Sequence, residues 1–119
     1  MINNESSPAN SPIDYPSALA RIGNDESFLA ELLDLYKMDF EAKIGGLQNA
    51  IDQEDFVSIQ ELGHGLKGSS ANLSLPFLQK AASDMERAGG DKNLDKARGA
   101  LSTLDQDFQK LQEFLSAKT

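Results

Sequence analysis

An all-α fold, an up-down-up-down four-helix bundle with a short extra N-terminal helix, is predicted by three features of the sequence. Apolar residues recur at spacings of three and four in four successive segments, short polar joins separate these segments, and no stretch alternates apolar and polar residues as a strand would. Amphipathic helices cannot bury their stripes singly, so packing around one shared core follows. A chain of 119 residues with 39% hydrophobic residues suits one such core and is too short for two ordinary domains.

Residues 1–12, MINNESSPANSP, hold almost nothing to bury and predict a disordered tail or linker remnant, leaving 13–119 as the folded domain. Asp14 to Arg21 predicts the short helix, with Pro16 in its first turn and Gly23-Asn24 ending it; it is expected to lie across one end of the bundle. Asp25 is the expected N-cap of a long helix whose stripe runs through Phe28, Leu29, Leu32, Leu33, Tyr36, Phe40, Ile44, Leu47 and Ile51, with a bend expected at Gly45-Gly46. The acidic group Asp52, Glu54 and Asp55 reads as the start of the next helix, where carboxylates favour the N-terminal dipole, and not as a metal site. That helix runs to about Leu73 with Ile59, Leu62, Leu66, Ser70 and Leu73 inward. Pro76 suits the first turn of the third bundle helix, which carries Phe77, Leu78, Ala81, Ala82 and Met85 and is expected to stop at Gly89-Gly90. Leu94, Ala97, Leu101, Leu104, Phe108, Leu111 and Leu115 supply the fourth stripe. Met38, Met85 and the phenylalanines read as core packing at helical spacing.

Composition removes several function classes. With no Cys and one His, the chain offers no thiol nucleophile, iron–sulfur ligands, disulfide framework or zinc site. A net charge of −8 argues against binding to nucleic acid or anionic lipid, which depends on Lys and Arg neutralising phosphates. The charge is uneven: residues 1–63 hold 12 acids and 3 bases, residues 64–119 hold 7 acids and 8 bases. No apolar run reaches the ~20 residues of a membrane span and no signal peptide opens the chain, so a cytoplasmic protein without membrane insertion is expected. A monomer is expected as well.

The histidine stands at the charge changeover. At about 100° per residue, His64 points roughly 165° from the centre of its helix's inward face and so faces solvent. Gln60, Gly68 and Ala71 share that outer face, Val57 lies further back on it, and Lys67 sits to one side, one turn along. An isolated exposed histidine is most often a solvated surface residue. Two features set this one apart. Gly63, Gly65 and Gly68 fall in one helix at a cost of roughly 2–3 kcal/mol against alanines, and Gly68 lies on the outer face where packing does not require it. Lys67 places a cation near the ring, an odd neighbour for a base or metal ligand but a useful one for a phosphoryl group. A neutral imidazole can attack phosphorus through Nε2 and pass the group onward. GLKGSS lacks the glycine spacing of a nucleotide-binding loop, so the phosphate donor must come from outside.

HGLKGSSANL, His64 to Leu73, resembles the His-x-Leu-Lys-Gly-Ser signature of histidine-containing phosphotransfer (HPt) domains. DYPSALARIGNDESFLAELLDLYKMDF, Asp14 to Phe40, is similar to their usual N-terminal part, and DMERAGG, Asp84 to Gly90, to the end of their third bundle helix. The resemblance implies a four-helix bundle without kinase activity that shuttles phosphate between receiver domains of hybrid sensor kinases and response regulators. It implies His64 as phosphoacceptor, Lys67 as the phosphate-stabilising cation and Gly68 as the small residue that admits the receiver; Gln60, Ala71 and Val57, on the same outer face by rotation, are expected to complete the docking face. It implies no cofactor here, the Mg²⁺ for transfer lying on the receiver. Ser74 departs from the family pattern, which often has Gly there, and Gly63 stands where Ala is frequent.

Two other functions are weighed beside this one. A helical interaction module that never carries phosphate would use the same acidic, partly apolar face. An enzyme with His64 as general base beside Glu61 is disfavoured, since a convex helix face offers no pocket and Glu61 is free to point into water. Arg87 and Lys92 are further candidates to add positive field for a phosphate. The polar tail suggests excision from a larger chain.

Overall fold

The computed structural model describes residues 11–118, and the tail expected over 1–12 falls almost wholly outside them. Five helices follow one another, α1 (Tyr15–Arg21), α2 (Glu26–Asp52), α3 (Phe56–Asn72), α4 (Pro76–Gly90) and α5 (Leu94–Lys118), and no strand occurs among the described residues. In the bundle α3 packs on α4, α4 on α5, α5 on α2 and α2 on α3. Three-residue joins reverse the chain at each step, which produces the up-down-up-down order. None of the described helices is long and apolar enough to cross a membrane.

The helix starts follow local chemistry. Asp14, Asp25, Asp55 and Asn93 accept hydrogen bonds from the backbone N–H three residues on, at 3.3, 3.0, 3.2 and 3.0 Å, satisfying donors that a helix start leaves unpaired. Pro76 opens α4 where its missing N–H is harmless. The three joins within the bundle repeat one geometry, with a left-handed residue (Glu54, φ 56°; Ser74, φ 58°; Lys92, φ 54°) before the next helix begins. Asp55, Leu75 and Asn93 then donate back to Ala50, Ser70 and Ala88. Ser74 thus adopts the conformation that glycine would favour, and its hydroxyl donates to Ser17 Oγ at 3.1 Å. Its carbonyl accepts from Asp14 N–H at 2.8 Å, so α1 is tied to the α3–α4 turn at one end of the bundle, with Ile13 and Ala18 buried beneath it.

Several expectations are corrected. Gly45-Gly46 does not interrupt α2, and Gly89-Gly90 lie inside α4, the left-handed turn falling on Lys92 instead. Asp52 is the last residue of α2, and only Asp55 of the acidic group caps α3. Met38 is 66% and Phe28 44% exposed. The buried face of α2 runs through Leu29, Tyr36, Phe40, Leu47 and Ile51; Phe28 is turned about 100° from Leu29 and Met38 about 200° from Tyr36, so neither reaches it. Met85 is fully buried as expected.

A polar tie crosses the core, a 2.7 Å hydrogen bond between the Tyr36 hydroxyl and the wholly buried Ser70 Oγ, joining α2 to α3. Burial pushes the Tyr36 phenol up to about 12 from its ordinary 10.0, against the opposing pull of the Ser70 hydrogen bond. The unfolded chain therefore ionises first as pH rises, so this contribution is complete below pH 10 and is lost between 10 and about 12. Urea unfolding at pH 9 and pH 12 is expected to differ by about 2–3 kcal/mol from this residue. A Tyr36→Phe variant retaining the full difference would reject that assignment.

Glycines let α3 and α4 approach backbone to backbone. A Cβ on Gly89 would stand 2.5 Å from Gln60 N, and one on Gly63 would stand 2.6 Å from Glu86 N. Both obstacles are backbone, so relief requires the helices to part. Free of that contact, Gly89→Ala would stabilise α4 by about 1 kcal/mol through helix propensity. Overpacking at about 1–3 kcal/mol opposes it, and we expect a net loss of about 1–2 kcal/mol in urea denaturation. An unchanged or raised stability would mean that the contact can relax.

Candidate functional site

The backbone contact at Gly63 determines what stands beside His64. Gly63 with Glu86, and Gln60 with Gly89, are equidistant from the middle of the Ser74–Leu75 turn, so a helical hairpin in this register brings the Glu86 side chain against the outer face of α3. Glu86 uses both oxygens there. Oε2 lies 3.0 Å from His64 Nδ1 and Oε1 lies 2.6 Å from Lys67 Nζ. The Lys67 hydrogen bond, with a smaller contribution from His64, holds the Glu86 carboxyl below the usual carboxylate range despite partial desolvation. An ionised carboxylate only accepts, so Nδ1 is the donor in this contact. In the neutral ring Nε2 is then the bare nitrogen, and the lone pair available for reaction is on the atom that Glu86 does not touch.

Exposure follows the rotation read from the sequence. The His64 side chain is 70% exposed, whereas Glu86 is 23% exposed and Lys67 is 36% exposed beside it. Val57, Gln60 and Gly68 are exposed and Ala71 is half-buried on the same side of α3. No atom lies within 4 Å of the place where a Gly68 Cβ would sit, so nothing within the fold demands glycine there. The backbone of Gln60 carries the close contact with Gly89.

Of the two further cations, Arg87 lines a shallow depression together with Gln60, Lys67, Ser83, Glu86 and Gly90, its Nη1 3.9 Å from Asp84 Oδ1. Lys92 lies in the turn after α4, and no contact brings it to the histidine. Glu61 is exposed, and the carboxylate that reaches the imidazole is Glu86. Among the described residues no group of three or more His, Cys, Asp or Glu side chains gathers as a metal site would require. An apolar groove lies elsewhere, lined by Ile22, Leu32, Leu35, Tyr36 and Leu73.

Sequence reasoning missed Glu86. The available signal was the hairpin register: a short α3–α4 join places residues at equal distances from the turn face to face. Glu86 borders the buried face of α4 that includes Ala82, Met85 and Gly89.

Comparison with protein-family models matches the Hpt domain over residues 31–114, which includes α3, α4 and most of α2 and α5. Comparison with curated proteins finds no match.

Proposed function

Since the chain belongs to the Hpt-domain family, whose members serve phosphotransfer in two-component phosphorelays, we propose that His64 is its phosphoacceptor. In this reading His64 takes a phosphoryl group from the aspartyl phosphate of a hybrid-kinase receiver domain and passes it to the receiver of a response regulator. Residues 13–119 are the transfer unit, acting in the cytoplasm, and 1–12 a tail or linker remnant. The observation that carries the proposal is the shared carboxylate. Glu86 occupies Nδ1, leaving Nε2 free on the exposed side of a ring that a partner protein can approach.

The Nε2 lone pair attacks phosphorus, and the P–O bond breaks with its electron pair returning to the donor carboxylate. The transition state is loose, so positioning and cationic stabilisation supply most of the catalysis. Lys67, one turn from the ring, is the cation within reach, exchanging part of its contact with Glu86 for the phosphoryl oxygens. Gly68, with Gln60, Ala71 and Val57, forms the face on which the receiver docks, and the Mg²⁺ that such transfers use belongs to that partner.

Incubation with a ³²P-labelled receiver tests the proposal. Acid-labile, alkali-stable label on His64 is the expected result. A chain that binds receivers yet takes no label would instead be a docking module.

A further inference from the structure

The electron count at the ring assigns Glu86 a task after phosphorylation as well as before it. Neutral imidazole attacks through Nε2 while its proton remains on Nδ1, so the ring leaves the reaction as a cation with phosphorus on one nitrogen and hydrogen on the other. If the proton stays, the P–N bond later breaks with its electron pair returning to Nε2, and neutral imidazole departs. If the proton is lost, the departing group must be an imidazolide anion, a much stronger base and a poor leaving group. The readiness of the phosphohistidine to discharge therefore depends on one proton, and the atom facing it is Glu86 Oε2 at 3.0 Å.

We propose that Glu86 is a positioning residue that keeps Nδ1 protonated while the phosphoryl group is on Nε2, holding the phosphohistidine in its transferable form. This rests on His64 being the phosphoacceptor. The carboxylate suits the task in three respects. It is ionised, so it favours a cationic ring. Its second oxygen is held by Lys67 at 2.6 Å, and its backbone is pinned against Gly63. The other charged groups around the ring are less direct. On α3, Lys67 is bound to Glu86 and Glu61 is exposed. On α4, Arg87 leans toward Asp84. From α2, Lys43 passes Gly65 with its ammonium on Asp39. Glutamine at position 86 would keep an acceptor in place but not the charge. Its amide could also turn and donate to a bare Nδ1, favouring the form that discharges slowly.

The test loads the full chain with phosphoramidate, which phosphorylates histidine without a receiver, and compares wild type, Glu86→Gln and Lys67→Gln. The ¹⁵N shifts of the His64 ring across pH 6–9 report the Nδ1 proton in the phosphorylated protein, and transfer to Mg²⁺-loaded receivers reports discharge. In Glu86→Gln the proton is expected to leave about one pH unit lower, with discharge at the alkaline end slowed about tenfold. Lys67→Gln is expected to slow discharge at every pH, its ¹⁵N midpoint staying closer to wild type than that of Glu86→Gln. Coincident midpoints and parallel pH profiles for wild type and Glu86→Gln would overturn the inference and leave the phosphoacceptor reading standing. Loaded wild type that discharges to no receiver would overturn the phosphoacceptor reading, and with it the task assigned to Glu86.

Discussion

His64→Gln is expected to fold as wild type does and to take less than about 1% of the wild-type label from a phosphorylated receiver, a loss of more than about 2.7 kcal/mol of transition-state stabilisation. The two halves of this expectation come from different facts. Stability is preserved because the ring is 70% exposed and its polar contact is with a surface carboxylate, a setting where substitutions usually change stability by less than about 0.5 kcal/mol. Glutamine can still donate to Glu86, so the carboxylate and Lys67 keep their places. Label is lost because the chain holds no second histidine and no cysteine to substitute as nucleophile. Urea denaturation and a filter-based transfer assay on the same preparation measure both halves. Residual label above a few per cent, resistant to acid, would place the chemistry on another side chain and dismiss His64 from its role.

The rotation argument located this histidine correctly because α3 has a strong inward face: Ile59, Leu66 and Ser70 are fully buried and Leu73 nearly so, which leaves little freedom in which way the helix turns. The cap Asp25 and the proline at the start of α4 were legible for a similar reason, since each acts within one turn of its own position. What sequence reading lost depends on the neighbouring helix. Phe28 and Met38 fit an apolar spacing, but how wide an arc of α2 is covered depends on where α3 and α5 lie against it. Gly89 was read as a terminator from its place beside Gly90, whereas its function is to let Gln60 approach. Glu86 was invisible for the same reason: its partners are 22 and 19 residues away along the chain, and only the hairpin register makes them neighbours.

Glycines that look alike in the sequence are separated by what surrounds them, and Gly68 provides the sharper experiment. At Gly63 and Gly89 any side chain strikes backbone, so substitution harms the fold and disturbs the site only through it. At Gly68 the surrounding space is open and the residue lies one turn beyond His64 on the exposed face. Gly68→Gln is therefore expected to stabilise α3, by up to about 1 kcal/mol, since glutamine is the better helix former. If a receiver must press its phosphoaspartate against Nε2, the same side chain stands between the two proteins. Misplacing reacting groups by an ångström costs on the order of 100-fold in rate, and we expect a loss of at least that size in transfer from the receiver. Loading by phosphoramidate, a small reagent that needs no docked protein, should be nearly unaffected. The combination of higher stability, normal chemical loading and failed protein-to-protein transfer has no explanation in folding. Wild-type transfer rates in Gly68→Gln would show instead that the receiver approaches His64 from another side, and would remove Gly68 and Ala71 from the docking face together.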